Sequence, residues 1–427
     1  MKSSARLFTL QACASLVVFG NTAAAAGSSA VGNNSVAALR DGKIIVAGSA
    51  QVGGVDQFAL VRYNSDGSLD TTLNGSGKVT TPVGTGTCKG EGVALQDDGK
   101  IVVVGYSFNA SDQSCFTVLR VHRGRKPDTS FGDAGKVTTS VGGKNDSAES
   151  VALQEDGKIV VAGYTVAPGN NDFAVARYNA NGTLDTSFNG TGKATADFSE
   201  LDHGRSVAVQ REGKIVVAGY TTKSYESKKE CALACFKANG SLDTSFNGTG
   251  KVTTNFGGDG NAEGRSVAVQ TDGKIVVVGY ATAGSTEKFA LARYNADGTL
   301  DTSFGDSGRV MTDVSISGSN ATGVALQKDG KIVVAGYAVK NSGTGYDFAC
   351  VRYNTDGKVD QSFGDGGKIM TSVGQGDGKA NSLAVQDGKI TVVGNFHVPI
   401  TGHVDLDFGA IQTTCKSTCG PGTARQV

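Results

Sequence analysis

A phrase of the form Asp41-Gly42-Lys43-Ile44-Ile45-Val46-Ala47-Gly48 occurs seven times, with its lysine at Lys43, Lys100, Lys158, Lys214, Lys274, Lys331 and Lys389. The interval is 56 to 60 residues. A second phrase is interleaved with it, as in Arg177-Tyr178-Asn179-Ala180-Asn181-Gly182-Thr183-Leu184-Asp185-Thr186-Ser187-Phe188. A period of this length, made of strand and turn signals alone, means a repeat architecture in which units share a core.

One repeat read from Ser150 shows the unit. Ser150 to Gln154 is a short strand, A, and Glu155-Asp156-Gly157 a turn. Lys158 to Tyr164 is strand B, apolar on both faces. Phe173 to Tyr178 is strand C, and Asn179 to Gly182 turns again. Strand D includes Lys193 to Asp197, with Leu184 to Phe188 competing for that role. Repeats one and seven are read with two-residue Asp-Gly loops of type I′, at Asp41-Gly42 and Asp387-Gly388. The middle five carry one extra residue, which suits a type I turn closed by a left-handed glycine. Four antiparallel strands with two apolar faces must stack, and a ring lets every sheet bury both. The expected fold is an all-β, seven-bladed β-propeller of four-stranded antiparallel blades over residues 27–412. Repeat seven ends after strand C at Phe408 to Gln412, so Gly27 to Val31 is expected to supply its fourth strand.

The phrases DGKIVVAGY, FALARYN and DG-x-LDTSFG, in this order and period, resemble the bacterial delta-60 repeat and, more distantly, the NHL-type propeller repeat. The resemblance runs from about Ser35 to Gln412. His122-Arg123-Gly124-Arg125-Lys126-Pro127 in repeat two departs from it. The resemblance implies an exported propeller, but no reaction and no catalytic residue that could be carried over.

The remaining features bound the partners. Forty basic residues balance forty acidic ones, which disfavours nucleic acid and anionic membranes as partners. Residues 1–26 read as a signal peptide: Lys2 and Arg6, a mostly apolar Leu7 to Phe19, then Ala24-Ala25-Ala26 before Gly27. The apolar part is too short for a membrane span. A monomer, secreted or periplasmic or on the cell surface, is expected. Residues 413–427 form a cysteine-containing tail, where Cys415 and Cys419 are disulfide candidates. Cys88 and Cys115, at the same end of one blade, are a second candidate pair.

Several motifs reduce to turns. Gly305-Asp306-Ser307-Gly308 has the outline of the trypsin-like nucleophile motif, but sibling repeats carry Ala134 or Gly366 at the serine. Asn295-x-Asp297-Gly298-x-x-Asp301 has the outline of a calcium loop. Asx-turn chemistry explains it without an ion, so no cofactor is expected and calcium is the alternative. Arg62, Arg120, Arg177, Arg293 and Arg352 recur on strand C, and Asp70, Asp128, Asp185, Asp243, Asp301 and Asp360 recur after the turn, as a structural pair within each blade. The histidines His122, His203, His397 and His403 lack ligand spacing and read as surface or loop residues.

Function is expected on one face of the disc. The A–B and C–D turns are short and repetitive, whereas the B–C and D–A connections vary and share the other face. Two rings point there. Tyr106, Tyr164, Tyr220, Tyr280 and Tyr337 close strand B. Asn34, Glu91, Glu149, Arg205, Arg265, Thr322 and Asn381 precede strand A, nearest the channel, and give its mouth a dipolar rim. The preferred reading is a non-catalytic scaffold that binds a protein, peptide or glycan there. The alternatives are a hydrolase or lyase with Glu91 and Glu149 as paired carboxylates, and a purely structural cell-surface repeat protein.

Overall fold

The computed structural model describes residues 17–21, 31–122, 127–167, 170–198, 201–222, 228–257, 260–340, 343–373, 377–400 and 403–414, with side chains left undescribed in 17–34 and 396–414. Cys415 and Cys419 therefore lie outside the described residues. Among the described residues the secondary structure is β-strand apart from one 3-10 turn at Arg211–Gly213. No helix among the described residues is long and apolar enough to cross a membrane.

Each of the first six repeats forms an antiparallel run in the order A, B, C, D, for example Ala262–Val269, Ile275–Ala283, Thr286–Tyr294 and Arg309–Thr312. Strand D is the short segment expected, Lys193–Ala196 in repeat three, while Leu184 makes only an isolated bridge to Tyr178. The A strands are Val31–Ala38, Cys88–Leu95, Asn145–Leu153, Leu201–Val209, Ala262–Val269, Ser319–Leu326 and Gly378–Gln386. Each packs on the next and the last on the first, which closes a ring around a central channel. The fold is a β-propeller of four-stranded antiparallel sheets.

The hydrogen-bonded sheets do not number seven. Five have four strands and one has eight, because a single parallel pairing of Asn171 with Leu201 joins the sheets of repeats three and four. The ring closure also differs from expectation. Strand C of the last repeat, His403–Thr414, pairs with Val17–Asn21, in register from Val17 with Gln412 to Asn21 with Phe408. Val31 pairs instead with Ala50 in strand B, and residues 27–30 lie outside the described residues. The A strands run longer at their N-terminal ends than alternation alone suggests, and the first of them claims Val31. The closing strand thus falls inside the segment read as a leader. Cleavage at Ala26 and this strand exclude each other in one molecule.

Buried side chains fill the spaces between sheets. Val160, Phe173, Val175 and Phe188 of repeat three pack against Val207, Ile215 and Val217 of repeat four, all buried. The Arg–Asp pairs are structural, as read. Arg177 Nε donates to Asp185 Oδ2 at 2.8 Å, its Nη1 donates to the Ala238 carbonyl of the next repeat at 2.6 Å, and the guanidinium lies 4.7 Å over Phe188. In repeat four Cys235 replaces the arginine, and Lys214 binds Asp243 at 2.7 Å. The calcium-like loop uses its oxygens internally: Thr299 N donates to Asp297 Oδ1 at 3.0 Å, and Arg293 Nε donates to Asp301 Oδ2 at 2.7 Å.

Two local expectations are corrected. Repeat seven has both central residues left-handed, Asp387 at φ 49° and Gly388 at φ 74°, as type I′ requires; repeat one has only Gly42, at φ 80°. Its loop includes Arg40, since Leu39 N donates to the Lys43 carbonyl across three residues. Cys88 and Cys115 are both free and buried. Each pairs across a strand boundary with Ser107, one on either side, so a whole strand separates them by roughly 10 Å and no disulfide can form.

Candidate active site

Strand A carries the same irregularity in every repeat. The register with strand B slips once, between Asn33 and Ser35, Gly90 and Gly92, Ala148 and Ser150, Gly204 and Ser206, Gly264 and Ser266, Ala321 and Gly323, and Ala380 and Ser382. The skipped residues are Asn34, Glu91, Glu149, Arg205, Arg265, Thr322 and Asn381, the whole of the inner ring read from the sequence. A β-bulge bends the strand and re-aims the extra side chain. Of these, Glu91, Glu149, Arg205, Arg265, Thr322 and Asn381 line one open cavity of about 410 Å³ at the channel mouth. The Asn34 side chain lies outside the described ones. Below the charged rim come Ser150, Ser206 and Ser266, whose hydroxyls accept from Val207 N, Val267 N and Val324 N of the following A strands at 3.2, 3.1 and 3.3 Å. Val93, Val151, Val324 and Leu383 also line the cavity.

The electrostatics of the rim are uneven. Burial, reinforced by the neighbouring Glu149 carboxylate, pushes Glu91 up to about 8, so it carries a proton at neutral pH. Arg205 Nη1 donates to Glu149 Oε2 at 3.3 Å, and Ser147 Oγ donates to Glu149 Oε1 at 2.9 Å. Burial works against the Arg205 charge, but Glu149 and Glu263 outweigh it and hold the guanidinium above its ordinary value.

The tyrosine ring sits one strand outward. Tyr106, Tyr164, Tyr220, Tyr280 and Tyr337 pair across to Lys89, Ser147, His203, Glu263 and Asn320. Tyr220 and Tyr280 are buried; the other three are half-buried. Burial raises Tyr106 and Tyr164, which keep their phenolic protons.

These cross-strand partners are the residues that the sequence reading missed. His203 is no loop residue. Its ring lies between Tyr164 and Tyr220, with centroids 4.3 and 5.0 Å away, and its Nε2 is 3.1 Å from Asn171 Nδ2. Burial, then Arg205, pushes it down to about 4, so it is neutral. Glu263, 4% exposed, gathers three cations: Lys229 Nζ at 3.0 Å, Arg265 Nε at 3.3 Å and Arg205 Nε at 3.8 Å. Tyr280 OH adds a hydrogen bond at 3.3 Å. The signal was present. Two residues before each bulge stand Gly32, Lys89, Ser147, His203, Glu263, Asn320 and Lys379, a place where repeats otherwise alike diverge.

Among the described residues, one group outside the mouth could hold a cation. Ligand oxygens of Asp172, Asp197 and Asp202 lie within 4.8 Å of one another. Burial and the two neighbouring acids raise Asp172 to about 6. Asn170 Nδ2 donates to Asp172 Oδ1 at 2.9 Å and to Asp197 Oδ1 at 3.2 Å.

The beta-propeller family described as a domain of unknown function, DUF5122, matches residues 39–73, 96–131, 154–188, 210–246, 270–304 and 327–363, half of the chain. The chain belongs to this beta-propeller family. The matched segments run from the end of strand A to the turn after strand C, so the bulges of repeats two to six fall in the gaps between them. The family's signature describes the scaffold and leaves out the rim. No curated protein matches the sequence. Among solved structures, a polysaccharide lyase, the PL25 ulvan lyase bound to -[GlcA(1-4)Rha3S]-, is similar with a TM-score of 0.54 at 11% identity, over 90% of this chain and 94% of that one. A second structure of a PL25 ulvan lyase is similar with a TM-score of 0.54 at 11% identity, over 90% of this chain and 94% of that one. The polysaccharide lyase Uly1 gives a TM-score of 0.48 at 12% identity, over 92% and 91%. At these identities the likeness is one of fold. The reading as a non-catalytic scaffold does not stand. A similar fold carries a polysaccharide lyase, and this chain's mouth holds a carboxyl with a raised pKa, an ion-paired carboxylate and guanidinium groups in one cavity.

Proposed function

We propose that the channel mouth is the active site of a lyase that cuts an acidic polysaccharide by β-elimination. The observation that carries this reading is the company Glu91 keeps. A carboxyl protonated at neutral pH stands beside an ion-paired carboxylate, Glu149, with Arg205 between two acids and Arg265 close by. Pairs of titratable groups driven apart by their surroundings are suited to acid and base roles. Guanidinium groups suit a planar carboxylate ligand.

A uronate carboxylate entering the mouth takes Glu149's place on Arg205. That neutralises the substrate's charge and weakens its C5–H bond, while it frees Glu149 to accept the proton. The C5 electron pair forms a C4=C5 double bond as the C4–O4 bond breaks. Glu91 gives its proton to the departing oxygen. The products are a 4,5-unsaturated uronate and a new hydroxyl-terminated chain, and exchange with water resets both glutamates. No cofactor enters this scheme. We count the eight-stranded sheet as two blades, seven in all, and read the protein as an exported monomer of the delta-60 type that meets its glycan outside the cytoplasm.

The test is incubation with glucuronate, galacturonate and mannuronate polymers and with heparin. The expected outcome is ultraviolet absorbance from unsaturated ends, with products lighter than the hydrolytic ones by one water. Products heavier by that water would make the mouth a hydrolase. Unchanged polymers throughout would remove the catalytic reading.

A further inference from the structure

The mouth is flanked by a second cluster that the elimination scheme does not use. Lys379 stands on the last A strand, two residues before its bulge. Its ammonium lies 4.4 Å from the ring centroid of Tyr346 and 5.3 Å from that of Tyr337. The two rings meet edge to face at 5.2 Å. Among the described residues these faces, not a carboxylate, are its partners, and the lysine is exposed. On the other side, Lys229 lies 4.2 Å over Tyr220, which stacks on His203, and its ammonium also meets the Glu263 carboxylate at 3.0 Å. Contacts link the two sides: Arg205 lies 5.7 Å over Tyr220, Glu263 joins Arg205 to Arg265, and Tyr337 lies near enough to Arg265 to support its charge. The A strands bearing His203 and Lys379 are three steps apart around a closed ring of seven, so the clusters face each other across the cavity.

From this we infer that the mouth is the centre of a longer groove, with an aromatic-held ammonium on each shoulder, built for several successive acidic sugars of one polyanionic glycan. Each shoulder offers a fixed cation for a carboxylate or sulfate, and ring edges and faces for the apolar side of a pyranose. A chain held on both sides of the scissile bond is cut internally rather than from its end. This last point rests on the lyase reading; the binding claim does not.

The test uses the full chain carrying Glu91→Gln, so that binding is read without turnover. Acidic oligosaccharides of two and ten units, glucuronate, galacturonate, mannuronate and heparin-derived, are titrated by calorimetry. At least one ten-unit ligand should bind about tenfold or more tightly than its two-unit counterpart. Adding Lys379→Met should cost that ligand roughly tenfold and leave the two-unit affinity unchanged. Equal affinity for both lengths, equal losses at both lengths, or no binding of any ten-unit ligand overturns the groove. With an unmodified Glu91, early products of mixed length support internal cutting, and two-unit products alone from the start overturn it. Length-dependent binding without unsaturated products keeps the groove and removes the lyase.

Discussion

At the scale of single residues, the bulge decides what the channel mouth contains. An unbulged strand would place Glu91 and Glu149 in regular alternation; the slip at Gly90/Gly92 and Ala148/Ser150 makes both cavity-lining residues. Glu91 is the group whose charge state can be checked most directly. Its value is raised to about 8, so the proton it donates is present below that pH and lost above it. Turnover should therefore fall as pH rises through about 8, and Glu91→Gln should lower kcat by roughly 10²–10⁴-fold while abolishing that alkaline limb. A pH–rate profile of both proteins checks this. Arg205 acts through binding as well as charge. Arg205→Gln should raise KM, and Arg205→Lys should restore charge without the two-pronged geometry and recover only part of the loss.

At the scale of elements, two devices hold the sheets in place. The glycine before each ring tyrosine lets strand A approach strand B at the bulge. A Cβ at Gly219 would sit 1.9 Å from the His203 carbonyl and 2.9 Å from the Phe173 ring. Gly219→Ala should cost ~1–3 kcal/mol by overpacking, read as a lower melting temperature, and should shift His203 with it. The second device is the Arg–Asp clip. Asp185→Ala leaves Arg177 buried without its carboxylate and should cost ~3–5 kcal/mol in a denaturant titration. Acid should act on all clips together. In Asp70, Asp301 and Asp360 burial opposes the charge, but lysine, hydroxyl and arginine partners outweigh it and depress the carboxyls. Their contribution is complete above the unfolded value of ~4 and drains as pH falls toward the depressed folded values. The melting temperature should hold near neutrality and drop steeply below pH ~4.

At the scale of the whole molecule, closure depends on a strand from the opposite end of the chain. Val17–Asn21 covers the outer edge of His403–Thr414. A protein beginning at Gly27 lacks that cover and presents an open edge. It should melt several degrees below the full chain, or associate through that edge in light scattering. Equal melting temperatures and equal sizes would show that another segment takes the strand's place. The two faces of the disc also differ. The lysines of the repetitive face are tied to acids, as Lys274 is to Asp301 at 2.9 Å and Lys331 to Asp360 at 2.8 Å. Their replacement should lower stability and leave glycan binding unaltered.

The sequence by itself determined the repeating unit, most of its strands and turns, the Arg–Asp clip and the bulge positions, six of which line the channel mouth. Those rest on local chemistry repeated in register: Asp-Gly turns, an apolar strand B, an arginine eight residues before its aspartate. The sequence also named Glu91 and Glu149, because neighbouring repeats put acids at one place. Tertiary structure decided the rest. Glu263 and Lys229 are far from Arg205 in the chain, and only the packing of neighbouring sheets brings Glu263 onto Arg205 and Lys229 onto Glu263. Burial, which no repeat pattern encodes, keeps Glu91 protonated and His203 neutral. Pairing across the ring chose Val17–Asn21 over Gly27 to Val31 as the closing strand, since the first A strand had already taken Val31.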